Sequence, residues 1–330
     1  MQPFKFTRST DAASAVKAAA ANPDSRFVAG GSNIVDLMRE CVERPSELVD
    51  ISRLAMSQIK PAAGGGVSLG ALARNTDTAN HPLIRQGYPL LSQAILSGAS
   101  AQIRNMATNG GNVMQRVRCP YFYDITRPCN RREPGSECSA ITGMNRNHAI
   151  FAWTEKCVAV NPSDMCVALV ALDAVLKIQS PGGKERSLPL KDLHHLPGDV
   201  PGKEFGLAHD ELITSIELAK SNFAANSYYL KVRDRSSFAF ALVSVAVGLE
   251  MSGQTIKRAS VALGGVAHKP WRAPEAEAVL TGKAATEVNF KLAAEVAMKN
   301  AMPLEHNEFK VELGKRAIVL ALKRALNGKA

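Results

Sequence analysis

Between residues 116 and 156 the chain loses helical and strand periodicity, and four thiols stand in or just after that stretch: Cys119, Cys129, Cys138 and Cys157. A structureless loop of about 40 residues is out of place in a compact domain unless it carries function or is crosslinked internally. Pro120, Pro128, Pro134, Gly135 and Gly143 punctuate it against any long regular element. The fold must therefore offer a regular frame on which this loop hangs, with the thiols as the obvious tie.

The cysteines are separated by 9, 8 and 18 intervening residues. Four thiolates suit tetrahedral zinc or an iron–sulfur cluster, both thiolate-bound centres. Structural zinc usually takes paired C-x2–4-C knuckles, which this sequence lacks, and the spacing also departs from the bacterial ferredoxin run. A loop wrapped around a larger, roughly cubic centre takes ligands from scattered positions, which favours a [4Fe–4S] cluster. Two disulfides, or buried thiols acting as small apolar side chains, are the plainer readings. Six cysteines in 330 residues are too few for a disulfide scaffold. Cys41, just past a short helix, and Cys166, in apolar Met165-Cys166-Val167-Ala168-Leu169, read as core residues outside the site.

The frame reads as two units. Strands at 4–6 and 26–29 flank a helix over 12–21 that Asp11 can cap. Gly30-Gly31-Ser32-Asn33 then breaks the second strand before a helix over 34–39. Strand, glycine turn and helix start together present free N–H groups and a helix dipole to a phosphate; an ordinary turn capped by Ser32 or Asn33 fits the same residues. A strand at 48–51, a hairpin of 58–60 with 67–72 and helices over 76–86 and 89–105 lead to a second glycine turn, Thr108-Asn109-Gly110-Gly111-Asn112. After the thiol loop come a helix over 165–172 and strands at 174–179, 186–188 and 212–218. The boundary falls in Ser221-Asn222-Phe223-Ala224-Ala225-Asn226, giving domains 1–222 and 223–330 with the thiol insertion at about 116–157. Beyond it, strands at 227–233, 241–250 and 256–263 and helices over 274–280, 287–300 and 308–326 predict a three-stranded antiparallel sheet backed by helices, an α+β domain; Gly328 ends the last helix.

Several functions are disfavoured. The net charge of +10 is scattered, with small clusters only at Arg131-Arg132 and 231–235, and aromatics make up 5%, so no nucleic-acid surface is expected. The charge reads instead as solubility and attraction to an acidic protein partner. No apolar run reaches the roughly 18 residues of a membrane span. The opening Met1-Gln2-Pro3-Phe4-Lys5-Phe6 predicts no export signal on this chain. Adjacent His194-His195 share no face and read as loop residues, not a metal pair. No acid–base pair or nucleophile asks for catalysis of its own.

Several segments together resemble one family. Ala29-Gly30-Gly31-Ser32-Asn33-Ile34, Arg104-Asn105-Met106-Ala107-Thr108-Asn109-Gly110-Gly111-Asn112 and Pro162-Ser163-Asp164 are similar to the FAD-binding subunits of the xanthine dehydrogenase (molybdenum hydroxylase) family. Phe238 to Ala246 and Gly264-Gly265-Val266-Ala267 look like that family's second domain, so the resemblance spans nearly the whole chain. The segment from Arg118-Cys119-Pro120 through Cys157 resembles an insertion that holds an extra [4Fe–4S] cluster in some members, above all in periplasmic aldehyde oxidoreductases.

The resemblance implies a p-cresol methylhydroxylase-type FAD-binding domain followed by the family's C-terminal α+β domain. It implies that Phe27, Val28, Ala29, Gly30, Gly31, Ser32, Asn33 and Ile34 supply backbone amides to the FAD pyrophosphate. Thr108, Gly110, Gly111 and Asn112 would form a second wall, Asp164 would bond the cofactor, and Ile213 and Lys231 would touch the flavin. Ser32 stands where threonine is more usual and keeps the hydroxyl. Cys119, Cys129, Cys138 and Cys157 would ligate the cluster.

The implied activity is electron transfer in an aldehyde oxidoreductase. Electrons pass from a large molybdenum-cofactor subunit and a small [2Fe–2S] subunit, in a heterotrimer, through FAD to an external acceptor. A NAD-reducing xanthine or heteroaromatic dehydrogenase subunit, and a zinc-stabilised interaction module without redox activity, are the competing readings. The compartment implied is the periplasm, reached by co-export with a partner bearing a twin-arginine signal; the cytoplasm is the alternative.

Overall fold

The computed structural model describes residues 1–327; Gly328, expected to end the last helix, lies outside the described residues. Three sheets carry the chain. Lys5–Arg8, Glu47–Asp50 and Ser25–Val28 form a small parallel sheet with Glu47–Asp50 in the middle. Helix Ala12–Ala21 covers it, started by a capping box in which Asp11 accepts from the Ser14 amide at 2.7 Å. Ala15 and Val16 of that helix bury against Val49 and Ile51.

A five-stranded antiparallel sheet follows, in the spatial order Ile59–Ala62, Gly66–Gly70, Leu212–Leu218, Val175–Gln179, Glu185–Pro189. The C-terminal sheet is antiparallel as expected but has four strands, ordered Trp271–Arg272, Thr255–Gly264, Val243–Ser252, Ser227–Val232. The added edge pairs only Ala262 with Arg272 and Leu263 with Trp271. Two residues behind Pro270 are too short to show an alternating pattern, so the sequence carries no signal for it. Helices Pro274–Leu280, Glu287–Met298 and Phe309–Leu326 pack behind this sheet, where Phe290, Ile318 and Leu322 meet Val245 and Leu263 in one core.

Two expected helices are each broken in two. Pro82 divides the first into Asn75–Asn80 and Pro82–Gly87, because proline lacks the N–H of a continuing helix and pushes His81 into extended backbone. The second divides into Pro89–Ser97 and Ala101–Met106 around Gly98 and Ala99, the latter in left-handed backbone at φ 51°.

Helix Asp164–Ala171 joins the halves. All eight of its residues are buried, as a helix apolar on every face must be. Its Ala171 carbonyl accepts from Ser260 of the C-terminal sheet at 2.6 Å, and its Met165 and Leu169 belong to the N-terminal core with Leu69 and Leu91. Among the described residues no helix is long and apolar enough to cross a membrane.

Candidate functional site

A cavity of about 570 Å³ opens between the two halves, within the size range of cofactor sites. Ser32, Asn33, Gly111, Asn112 and Asp164 line it. Phe27, Val28, Ala29, Gly30, Gly31, Ile34, Thr108, Gly110, Ile213 and Lys231 do not line it, so only part of the expected set reaches the cavity surface.

The first glycine turn has the character a phosphate needs. Among the described residues, the amides of Gly30, Gly31, Ser32 and Asn33 find no acceptor. A side chain at Gly30 would collide with the Met106 carbonyl, and Gly31 is left-handed at φ 71°. Asn33 does not cap the helix that follows: its Oδ1 accepts from the Arg116 amide at 3.0 Å, and its buried Nδ2 has no partner in the chain. Free amides and an orphaned donor together fit an anionic group in this corner.

The second glycine segment is a single helical turn, Asn109–Val113, and its amides are engaged. Asn109 and Gly110 donate to the Ala73 and Ala71 carbonyls at 3.0 and 2.7 Å, and Gly111 donates to Thr108 Oγ1 at 3.1 Å. This wall therefore offers the bare face of Gly111 and the Asn112 side chain, while Thr108 and Gly110 build the turn. Asn112 is fixed by Asn75, whose Oδ1 accepts at 2.7 Å, and by Ser163, whose hydroxyl donates to it at 2.6 Å. Asn109 extends the network, accepting from Thr78 at 3.0 Å and donating to the Gly70 carbonyl at 3.2 Å.

Asp164 begins the joining helix, with Ser163 as its cap. Its two oxygens accept from Tyr229 at 2.6 Å and Lys231 at 2.7 Å. Burial first, and then the neighbouring carboxylate, hold the Tyr229 phenol well above its usual pKa, so it stays a donor. Lys231 also donates to the Ser97 carbonyl at 3.1 Å, and its side chain is 3% exposed. Its charge is spent on Asp164 behind the wall. Ile213 is buried in the N-terminal core, opposite Ile178 in the five-stranded sheet.

From the C-terminal half, Phe238, Phe240, Ser244 and Gly265 complete the lining. Fully buried Lys310 ties the Gly265 carbonyl to the His148 carbonyl at 2.8 and 2.9 Å; burial pushes its pKa down to about 7.

The thiol loop docks beside this cavity. Asp36, in helix Ile34–Arg39, accepts from Arg118 at 2.8 Å and from Tyr123 at 2.9 Å, pinning the loop's start. Fully buried Phe122 packs with Leu37, Val117, Cys129, Cys157 and Ala159. Short helices Pro120–Tyr123 and Ser139–Thr142 interrupt the stretch expected to be irregular. Cys129 pairs with Cys138 in an isolated antiparallel bridge. All four thiols are free and face one small apolar gap with Tyr121, Phe122 and Ala140. Among the described residues, no three of the His, Cys, Asp and Glu side chains are spaced to hold a single metal ion.

Burial pushes the Cys119 thiol up to about 12, with Cys157 and Cys129 adding in the same direction, and burial also raises Cys138. His148 Nε2 lies 3.1 Å from Cys119 Sγ. Arg131 directs Nη2 at Cys157 Sγ, 3.7 Å away, while its Nη1 meets Glu204 at 2.8 Å. Cys119 and His148 also line the large cavity, so one thiol faces both spaces. Of the cysteines left outside the site, Cys166 is fully buried as expected, but Cys41 is partly exposed in left-handed backbone at φ 58° and is not a core residue.

Several site residues lie outside the sequence reading. Tyr229 had a usable signal: two residues before Lys231 on one strand, it points to the same face. Asn75 and His148 had none, because their neighbours in space lie 37 and 29 residues away in the chain.

The comparisons with known proteins bear on this arrangement. The family model described as the FAD binding domain in molybdopterin dehydrogenase matches residues 2–220, and that of the CO dehydrogenase flavoprotein C-terminal domain matches residues 228–327. The aldehyde oxidoreductase FAD-binding subunit PaoB of Escherichia coli (strain K12) is 44% identical over 325 residues, 98% of this chain and 99% of that protein. The glyceraldehyde dehydrogenase medium chain of Sulfolobus acidocaldarius is 27% identical, covering 90% of this chain and 86% of its own. The solved carbon monoxide dehydrogenase of Hydrogenophaga pseudoflava superposes with a TM-score of 0.78 at 22% identity, over 100% of this chain and 99% of that one, a likeness of fold. The expected FAD-binding fold followed by an α+β domain stands, with the C-terminal sheet corrected to four strands.

Proposed function

This chain belongs to the FAD-binding subunits of the xanthine dehydrogenase (molybdenum hydroxylase) family, and we propose that it is the electron-transferring flavoprotein of a molybdenum-containing aldehyde oxidoreductase. Its partners in this reading are a molybdenum-cofactor subunit and a small [2Fe–2S] subunit, and it delivers electrons to an external acceptor. With it we divide the chain into an FAD-binding domain, residues 1–222, and a C-terminal domain, residues 223–330.

The observation that carries the reading is Cys119, which faces both the large cavity and the thiol gap. Two redox groups separated by one side chain are what an electron relay requires. When bound, FAD stores up to two electrons and exchanges them one at a time with one-electron centres. The chain's own contribution is to hold and orient it. The free amides of Gly30 to Asn33 bind the diphosphate end, and Asn112 and Asp164 shape the opposite wall. Asn112 is locked by Asn75 and Ser163, and Asp164 by Tyr229 and Lys231, so neither has to reorganise as charge builds on the cofactor.

Cys119, Cys129, Cys138 and Cys157 would hold a [4Fe–4S] cluster. What supports this is four free thiols around one apolar gap, with the Arg131 guanidinium beside Cys157 to offset thiolate charge. His148, which lines the large cavity, holds Nε2 3.1 Å from Cys119 Sγ. The compartment proposed with this reading is the periplasm, entered with a twin-arginine-signalled partner, and fractionation of the assembled complex tests it.

Gently purified protein should show flavin absorption bands together with iron and acid-labile sulfide. Absence of the flavin would sink the proposal. Cys138→Ser should lower iron and sulfide together; zinc in place of iron in the unaltered protein would defeat the cluster assignment alone. Reduction of NAD⁺ by the assembled complex would move the assignment to the dehydrogenase reading.

A further inference from the structure

Arg131 and Arg132 are adjacent in the thiol loop and point in opposite directions. Arg132 faces outward and donates to the Tyr121 and Phe122 carbonyls at 3.1 and 2.8 Å. Arg131 is turned inward, with its side chain 4% exposed. A buried guanidinium needs a counter-charge, and Glu204 supplies it at 2.8 Å from a part of the chain 73 residues later. Glu204 is itself clamped by Arg116, at 2.7 Å from Nε and 2.5 Å from Nη2, and Arg116 is paired with Glu43. Glu204, Arg116 and Glu43 thus form a chain of ion pairs that keeps the Arg131 guanidinium fixed against Cys157.

A purely structural arginine would direct its remaining donors at oxygen. Arg131 directs Nη2 at Cys157 Sγ, and its buried Nε has no partner. A neutral thiol is a weak acceptor, whereas a metal-bound thiolate or a sulfide is a strong one in a low-dielectric site. Hydrogen bonds and charge at the sulfurs are the terms by which a protein sets a cluster's potential.

We propose that Arg131, held by Glu204, is a positioning residue that raises the reduction potential of the cluster bound by the four thiols. This rests on the iron–sulfur reading given above. The couple takes up one electron, supplied by the reduced flavin, and gives the same electron to the acceptor. A fixed positive charge favours the reduced form and so draws electrons outward from the flavin.

The test is an anaerobic redox titration of the assembled complex with dithionite and ferricyanide, followed by the cluster's electron paramagnetic resonance signal. Arg131→Gln should shift the reduction equilibrium at least tenfold towards the oxidised form, a fall of about 59 mV for one electron. Glu204→Gln, which leaves the cation uncompensated, should shift it the opposite way. Arg131→Lys, which keeps the charge, should stay near the unaltered protein. Iron present with both glutamine variants unmoved overturns the proposal and leaves the cluster reading standing. No iron in the unaltered complex overturns both. If Arg131→Gln fails to hold iron, the sign of the Glu204→Gln shift decides: upward supports the proposal, and zero or downward refutes it.

Discussion

Replacing Lys231 by methionine tests how the cavity wall is held. The side chains of Lys231 and Asp164 are 3% and 7% exposed, with Nζ and Oδ2 2.7 Å apart. Methionine keeps much of the volume and removes the charge, leaving Asp164 buried with Tyr229 as its only side-chain donor. Breaking a buried pair by removing one partner costs about 3–5 kcal/mol, because the other charge is left uncompensated. With a urea m-value of roughly 3 kcal/mol/M, that moves the unfolding midpoint down by roughly 1–1.7 M. The double variant Asp164→Asn with Lys231→Met removes both charges, and Tyr229 can still donate to the amide oxygen at position 164. It should recover most of the loss, to within about 1–2 kcal/mol of the unaltered protein. Urea melts of the unaltered protein, Lys231→Met, Asp164→Asn and the double variant, followed by circular dichroism, measure the cycle. A cost below about 1 kcal/mol for Lys231→Met would refute the reasoning, since only a pair open to water is worth so little.

Gly30→Ala should weaken FAD binding at least tenfold, because a Cβ there meets the Met106 carbonyl and overpacking costs about 1–3 kcal/mol; quenching of flavin fluorescence on titration measures it, and unchanged affinity would show that the turn has room to shift. Tyr229→Phe should destabilise by about 1–3 kcal/mol, the range for a hydrogen bond to a buried charge, in the same urea melts. The Arg186 guanidinium holds the Glu211 carboxyl down to about 2, below its ordinary 4.5. Its stabilising contribution is complete above pH 4.5 and lost as pH falls towards 2, since the unfolded chain binds the proton first. Glu211→Gln should therefore be less stable than the unaltered protein at pH 6 and approach it near pH 2; a difference that does not change with pH would remove the ion pair as its cause.

Many periodic elements were readable because they bury an apolar face, as with Ala15 and Val16, or run largely apolar and buried throughout, as along Val243–Leu249. Breaks were harder. Pro82 announces itself, yet the break at Gly98 lies against Asp164, 66 residues on, where an added Cβ would sit 3.2 Å from Oδ2. The first glycine turn was readable as a set of free amides at a strand-to-helix junction, because its local backbone decides the matter. The second was not, because its amides are consumed by Ala71 and Ala73, which sequence distance hides. Nothing local to the basic run 231–235 tells that Lys231 turns inward to a carboxylate. The thiols could be counted and spaced from sequence, but their convergence depends on Phe122 and Asp36 anchoring the loop.

The cavity takes Ser32, Asn33 and Asn112 from one half and Phe240, Ser244 and Gly265 from the other. A cofactor lying there is consequently also a splint across the seam. By linkage, FAD at a hundredfold excess over its Kd stabilises the closed arrangement by about 2.7 kcal/mol, and much of that falls on the contact between halves rather than on either core. An empty subunit should open at the seam and yield to trypsin at exposed Lys220 between the halves, while the loaded one resists.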